Sequence, residues 1–68
     1  MIRFMGKIRR GGYIFITWKG DHAPRHVHVF EQNRLIAKFD LENWKVIQGQ
    51  LSKKLLLELI ALRKEDRL

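Results

Sequence analysis

The first 41 residues contain short apolar runs in which hydrophobic and polar positions alternate or β-branched and aromatic residues dominate, a composition typical of β-strands. The pattern predicts four strands, at residues 2–8, 13–18, 26–30 and 34–41. Gly11 and Gly12 accept positive φ cheaply and therefore predict a hairpin turn after the first strand. Gln32 and Asn33 predict a second tight turn.

The C-terminal part of the chain has helical periodicity instead. Ser52 is suited to cap a helix over residues 53–66, in which an apolar stripe is formed by Leu55, Leu56, Leu59, Ile60 and Leu62. Residues 42–50 are ambiguous, and Gly49 favours a loop there. The predicted fold is therefore α+β: a small antiparallel sheet of about four strands, ordered β-β-β-β-α, with one C-terminal helix packed on one face.

Alternation along the strands divides the side chains between two sheet faces. One face is aliphatic and is predicted to lie under the helix: Ile14, Ile16, Trp18, Val27, Val29, Leu35, Ala37, Phe39 and Leu41. The other is predicted to carry Tyr13, Phe15, Thr17, His26, His28, Phe30, Lys38 and Asp40. This second face is too aromatic for a solvated surface and too polar for a core. It favours either a homodimer interface or a platform on which bases stack.

Length and composition limit the architecture further. A chain of 68 residues is too short for two independent cores, so residues 1–68 are predicted to form a single domain. The absence of cysteine excludes disulfides, thiol catalysis and thiolate zinc sites. Domains this small usually gain stability from a metal, a partner chain or unusually good packing, and a homo-oligomer is expected here.

Positive charge is concentrated in the first half of the chain. The net charge is +7, and residues 1–30 hold six basic residues against one acidic residue. RNA, DNA or an acidic protein is the natural partner of such a segment, although basic residues can also serve solubility alone. Without an apolar window of membrane-spanning length or a signal-like apolar region, a cytoplasmic protein with no membrane partner is expected.

All three histidines fall within seven residues, at His22, His26 and His28. His26 and His28 are two residues apart on a strand, so their imidazoles project from the same face. If His22 folds back towards them, the three could bind a divalent transition metal such as zinc, with Asp21 nearby. Otherwise no cofactor is predicted.

Two metal-free interpretations compete with that site. His26 and His28 could act as general base and general acid in RNA cleavage, with Arg25 or Lys38 stabilising the developing negative charge. The residues predicted to contact the nucleic acid are then Arg9, Arg10, Tyr13, Phe15 and Arg25. Alternatively, the histidines only line an interface, and whether the protein is an enzyme stays open.

Four segments of the chain resemble one small prokaryotic family. They are Gly12-Tyr13-Ile14-Phe15, the string DHAPRHVHV at 21–29, Ala37-Lys38-Phe39 and the leucine-rich helix from Ser52. The family is the domain of unknown function 4160, and the resemblance covers nearly the whole chain. Arg25 replaces a proline of the family pattern, and Asp40 stands where the family commonly has an aromatic residue.

The resemblance implies a gene context like that of toxin–antitoxin pairs, with a small cognate partner protein. It places any shared function on the matched positions His22, His26, His28 and Lys38. Together with the charge, it predicts a toxin-like or regulatory component that binds RNA. The alternatives are a non-enzymatic module that forms a homodimer or binds its cognate protein, and a small histidine-ligated metal-binding domain.

Overall fold

The computed structural model describes residues 3–19 and 25–68 of the chain, and the side chains of residues 6–17 and 25–68. Five strands precede one helix: β1 (Arg3–Arg10), β2 (Tyr13–Lys19), β3 (His26–Glu31), β4 (Arg34–Asp40), β5 (Lys45–Gly49) and α1 (Lys53–Lys64). The strands form one antiparallel sheet in chain order. The predicted α+β fold is confirmed, with five strands rather than four.

Two-residue turns close the β1–β2 and β3–β4 hairpins. All four turn residues have positive φ, between 51° and 86°, and they are Gly11, Gly12, Gln32 and Asn33. Two successive residues at positive φ are what a type I′ turn requires, and its twist matches that of the flanking strands. The turns consequently fix the pairing next to them, beginning with Arg10 opposite Tyr13 in the first hairpin. Register shifts between Phe4 and Gly6 and between Val29 and Phe30 change the pairing farther from the turns.

The core lies between α1 and one face of the sheet. Its buried side chains are Tyr13, Phe15, Val27, Val29, Ala37, Phe39, Leu55, Leu59 and Leu62. The three leucines recur every three or four residues of α1, so they lie on one side of the helix. The sheet residues recur every second position, as expected for strands with one covered face.

The predicted faces of β2 are the wrong way round. Tyr13 and Phe15 are only 5% and 1% exposed and belong to the core under α1. Phe15 lies opposite Val29, whereas Ile16 lies opposite His28 on the other side of the sheet. β2 is apolar at both sets of positions, so its hydrophobic pattern does not decide which set is covered.

Ser52 caps α1 as predicted. Its Oγ accepts a hydrogen bond from the backbone N–H of Leu55 at 3.1 Å and lies 3.4 Å from the Tyr13 hydroxyl oxygen. The Lys54 ammonium lies 5.6 Å from the centre of the Tyr13 ring. The start of the helix is thereby joined to β2. Within the described ranges, no helix has the length and apolar character needed to cross a membrane.

β5 is the strand that the sequence pattern does not reveal. All five of its residues are exposed, so it shows no alternation between buried and exposed positions. It pairs with β4 at the edge of the sheet, with a register shift between Lys38 and Phe39. Edge strands of this kind are held mainly by backbone hydrogen bonds, which a hydrophobic pattern does not report.

Candidate functional site

The sheet face opposite α1, called the open face below, is organised in rows of cross-strand neighbours. Directly opposed residues on neighbouring strands point to the same side of a sheet. The first row crosses all five strands and consists of Lys7, Ile16, His28, Lys38 and Gln48. The second row consists of Arg9, Ile14 and Phe30. The third consists of His26, Asp40 and Lys45.

Cationic side chains surround the apolar centre of the open face. Lys7 and Arg9 are exposed on β1, and Lys38 is half-buried on β4. Among the residues that the structure describes, none of the ion pairs involves these three side chains. Within the described ranges no neighbouring carboxylate therefore neutralises their charge, and the open face carries a positive electrostatic potential.

A shallow depression of about 240 Å³ lies where the first and second rows meet. It is lined by Lys7, Ile14, Ile16, Phe30 and Asn33. The two isoleucines and the phenylalanine are half-buried, and they form an apolar floor. Lys7 and Asn33 add a charged and an amide group to it. This combination suits a flat ligand that is apolar on its faces and polar at its edge.

His26 and His28 lie side by side at the end of these rows. Their ring centroids are 5.1 Å apart, with an angle of 60° between the ring planes. His28 lies opposite Lys38, and its Nδ1 atom is shielded from solvent. The structure thus brings together the three residues predicted to be catalytic. A catalytic role for them stays a prediction.

The predicted metal site is incomplete within the described residues. His22, its third histidine, and Asp21 lie outside the described ranges. No group of three or more histidine, aspartate or glutamate side chains with metal-binding geometry occurs in the described part of the chain. Zinc binding by His22, His26 and His28 therefore stays a prediction.

Asp40 belongs to the third row, but its carboxylate serves the turn after β4. One oxygen accepts hydrogen bonds from the backbone N–H groups of Glu42 and Asn43, and the other accepts one from the Asn43 side chain, all at 2.9 Å. The hydrogen bonds from Asn43 and Glu42, aided by the nearby Lys45 charge, hold the pKa of Asp40 below its usual value. Asp40 is 1% exposed, and its carboxylate acts as a structural cap for the turn.

Because Asp40 has a lower pKa when folded than when unfolded, its contribution to stability is complete above the unfolded pKa of about 4. That contribution is lost as the pH falls through the folded pKa. The free energy of unfolding, measured in urea, should therefore decrease from pH 5 towards pH 2 more steeply for the wild type than for D40N. Replacing the exposed Glu31 by glutamine is the matched control and should keep the wild-type pH dependence. Parallel curves for the wild type and D40N would contradict this role.

Arg10 lies on the helix side of the sheet, away from the open face. Its guanidinium pairs with Glu58 at 3.0 Å and with Glu65 at 2.6 Å. The hydrogen bond and charge of Glu65, with a smaller contribution from Glu58, raise the pKa of Arg10 above its ordinary value. Arg10 thus joins the β1–β2 hairpin to α1. The structure thus places Arg10 apart from the open face, and its contact with nucleic acid stays a prediction.

The other predicted contact residues are also distributed unevenly. Arg9 lies on the open face, whereas the rings of Tyr13 and Phe15 are covered by α1 and offer no surface for a base. Arg25 is exposed just before β3, where its backbone N–H donates to the Glu42 carboxylate and its carbonyl accepts from Leu41 at 2.8 Å. Arg25 is thereby fixed beside the turn that Asp40 caps.

The model of one protein family, the domain of unknown function DUF4160, matches residues 11–67. The chain belongs to this family. The match runs from the first hairpin turn through α1, which confirms the resemblance seen in the histidine string, Ala37-Lys38-Phe39 and the helix. No curated protein and no solved structure matches the chain.

Sequence reasoning missed four residues of the open face in this DUF4160 domain: Lys7, Ile14, Ile16 and Asn33. The Gly11-Gly12 turn in the sequence was sufficient to derive the pairing of β1 with β2. A two-residue turn places Arg9 opposite Ile14 and Lys7 opposite Ile16, because pairing counts outward equally from both sides of the turn. Lys7 and Arg9 precede the matched range, so β1 adds two cations to the face that the DUF4160 segment forms.

Proposed function

We propose that this DUF4160 domain binds RNA through its open face. The observation that carries the proposal is the arrangement of Lys7, Arg9 and Lys38 around an apolar centre that contains Phe30. Cations of this kind contact phosphates, while apolar and aromatic side chains contact the faces of bases. The two kinds of group occur here on one surface at neighbouring strand positions.

The surplus charge supports a polyanionic partner over a second copy of the chain. In a symmetric dimer formed through the open face, the same patch would supply both sides of the interface. Lys7, Arg9 and Lys38 would then face a surface of the same sign, and like charges across an interface disfavour association. A polyanion instead gains from every one of these side chains.

The histidines fit the same surface. His28 lies between Ile16 and Lys38 in the first row, within reach of a chain that follows this row across the sheet. Imidazole rings stack on bases and donate hydrogen bonds to phosphates. The proposal requires only that His26 and His28 contact RNA. Cleavage is a separate step, and analysis of the RNA recovered from a binding experiment reports it.

The test is a titration of labelled single-stranded RNA of about 12 nucleotides, followed by fluorescence anisotropy over a series of salt concentrations. The variant K7Q/K38Q removes two charges from the open face. The control K53Q/K64Q removes two exposed charges from α1, so both proteins have the same net charge. Circular dichroism of both variants serves as the control for correct folding.

We expect K7Q/K38Q to bind about tenfold more weakly at low salt, because two charged hydrogen bonds to phosphate are lost. The slope of log affinity against log salt should also fall by about 0.7 for each lost phosphate contact. K53Q/K64Q should keep nearly the wild-type slope. Equal losses in both variants, or no measurable binding by the wild type, would contradict the proposal.

A further inference from the structure

The depression on the open face has the dimensions of a site for one small ring system. Its volume of about 240 Å³ is below the range of roughly 300–1,000 Å³ that holds drug-sized ligands. It is therefore too small for two stacked nucleotides. Its floor is formed by Ile14, Ile16 and Phe30, which present apolar surface to whatever enters.

We infer that this depression binds one unstacked base of single-stranded RNA, with the base against Phe30 and its polar edge towards Asn33. The inference rests on the proposed function and names the form of RNA that the open face recognises. Lys7, the charged residue of the lining, is then placed to contact the adjoining phosphate. Contacts to a flat ring, a polar edge and a phosphate are together what one nucleotide requires.

Asn33 is held in place by the turn that contains it. Its φ of 63° is left-handed, as the two-residue turn between β3 and β4 requires, so the backbone beneath its side chain has little freedom. An asparagine amide offers a donor next to an acceptor. Asn33 is exposed, and its amide takes no part in the side-chain hydrogen bonds found among the described residues.

The depression fits a base of single-stranded RNA but not a base within a duplex. The edge of every base carries donors beside acceptors, and in an unstacked nucleotide this edge is free to meet the Asn33 amide. In A-form RNA the bases are stacked and their major-groove edges lie in a deep, narrow groove that side chains do not reach. A duplex could contact Lys7, Arg9 and Lys38 but could not place a base against Phe30.

Asn33 and its neighbour provide a matched pair of variants. Gln32 has a φ of 51°, precedes Asn33 in the same turn and is not part of the depression lining. Glycine accepts positive φ at either position, so N33G and Q32G both keep the turn. N33G removes the amide from the site, whereas Q32G removes an amide beside it.

The probes are a single-stranded RNA, an abasic oligonucleotide of the same length that keeps the ribose-phosphate backbone, and the corresponding RNA duplex. We expect the wild type and Q32G to bind the single strand about tenfold more tightly than the abasic strand, since base stacking on an aromatic ring is lost in the latter. N33G should lose at least about fivefold for the single strand and bind the abasic strand like the wild type.

Two results would overturn the inference. Equal affinity of the wild type for the single strand and the abasic strand would show that no base is read, while the loss in K7Q/K38Q would still support RNA binding. N33G and Q32G with the same affinity for the single strand would remove Asn33 from the site. Failure of the proposed function itself appears separately, as an absence of salt-dependent binding to every probe.

Discussion

The variant F15A should lose most of the stability of this domain, whereas F30A should lose much less. Phe15 is 1% exposed and packs in the core beneath α1. Removing a buried phenylalanine ring costs about 3–5 kcal/mol. A chain of 68 residues has a total stability of roughly 3–10 kcal/mol, so F15A is expected to be partly or wholly unfolded.

Phe30 provides the matched comparison, because the same side chain is removed from the opposite face of the sheet. It is half-buried and its ring lines a depression that is open to solvent. F30A therefore leaves no closed cavity, and a loss of about 1 kcal/mol is expected from the reduced apolar burial. Urea unfolding followed by circular dichroism measures both values.

A milder pair keeps the comparison valid if F15A does not fold. F15L should still be clearly less stable than F30L, since only the first replacement changes the shape of a close-packed core. Equal losses in the two leucine variants would mean that Phe15 and Phe30 are equally exposed, as the sequence pattern predicts. A larger loss for F30L would reverse the two faces of the sheet.

The face of β2 illustrates what the sequence does and does not determine. Alternation correctly predicts four strands and the shared face of Val27, Val29, Ala37 and Phe39, because polar residues occupy the positions between them. β2 has apolar residues at successive positions, so alternation carries no information there. No two-residue turn fixes its offset against β3, because six residues separate Lys19 from His26 in the sequence.

The candidate site was predictable to a similar degree. The positive charge of the first half and the paired histidines could be found from composition and spacing. The role of Arg10 could not, because its partners Glu58 and Glu65 are 48 and 55 positions away in the sequence. Asp40 has partners two and three residues ahead, yet hydrogen bonds of a turn leave no hydrophobic pattern that would announce them.

The sequence pattern missed β5 for a related reason. Gly49, the residue that ends this strand, is the site of the second substitution with a large expected effect on stability. The variant G49A should be far less stable than G12A, although both residues have nearly the same φ, 84° and 86°. An alanine at either position is strained by about 1–2 kcal/mol because of its Cβ at positive φ. The strain is therefore common to both variants and cancels in the comparison.

The surroundings of the added Cβ differ. At position 12 no atom lies within 4 Å of it. At position 49 it would overlap the carbonyl oxygen of Ile36 and lie 3.0 Å from the Cα of Ala37, both of which belong to the backbone of β4. Ala37 is 2% exposed in the core, so β4 cannot shift without disturbing it. G49A should consequently lose at least about 3 kcal/mol, near the upper end of the range for single substitutions.

Amide hydrogen exchange measures which part of the domain loses stability in G49A. Because β5 is an edge strand with exposed side chains, the overlap is relieved at least cost if β5 separates from β4 while β1 to β4 and α1 stay folded. Amide exchange in β5 should then accelerate more than exchange in β2 or β3. If G49A and G12A unfold at the same urea concentration with the same exchange pattern, β5 does not pack against β4 as closely as described.

A selective opening of β5 would remove Gln48 from the first row and leave Lys7, Ile16, His28 and Lys38 in place. RNA affinity should then survive in G49A wherever the remaining four strands are folded.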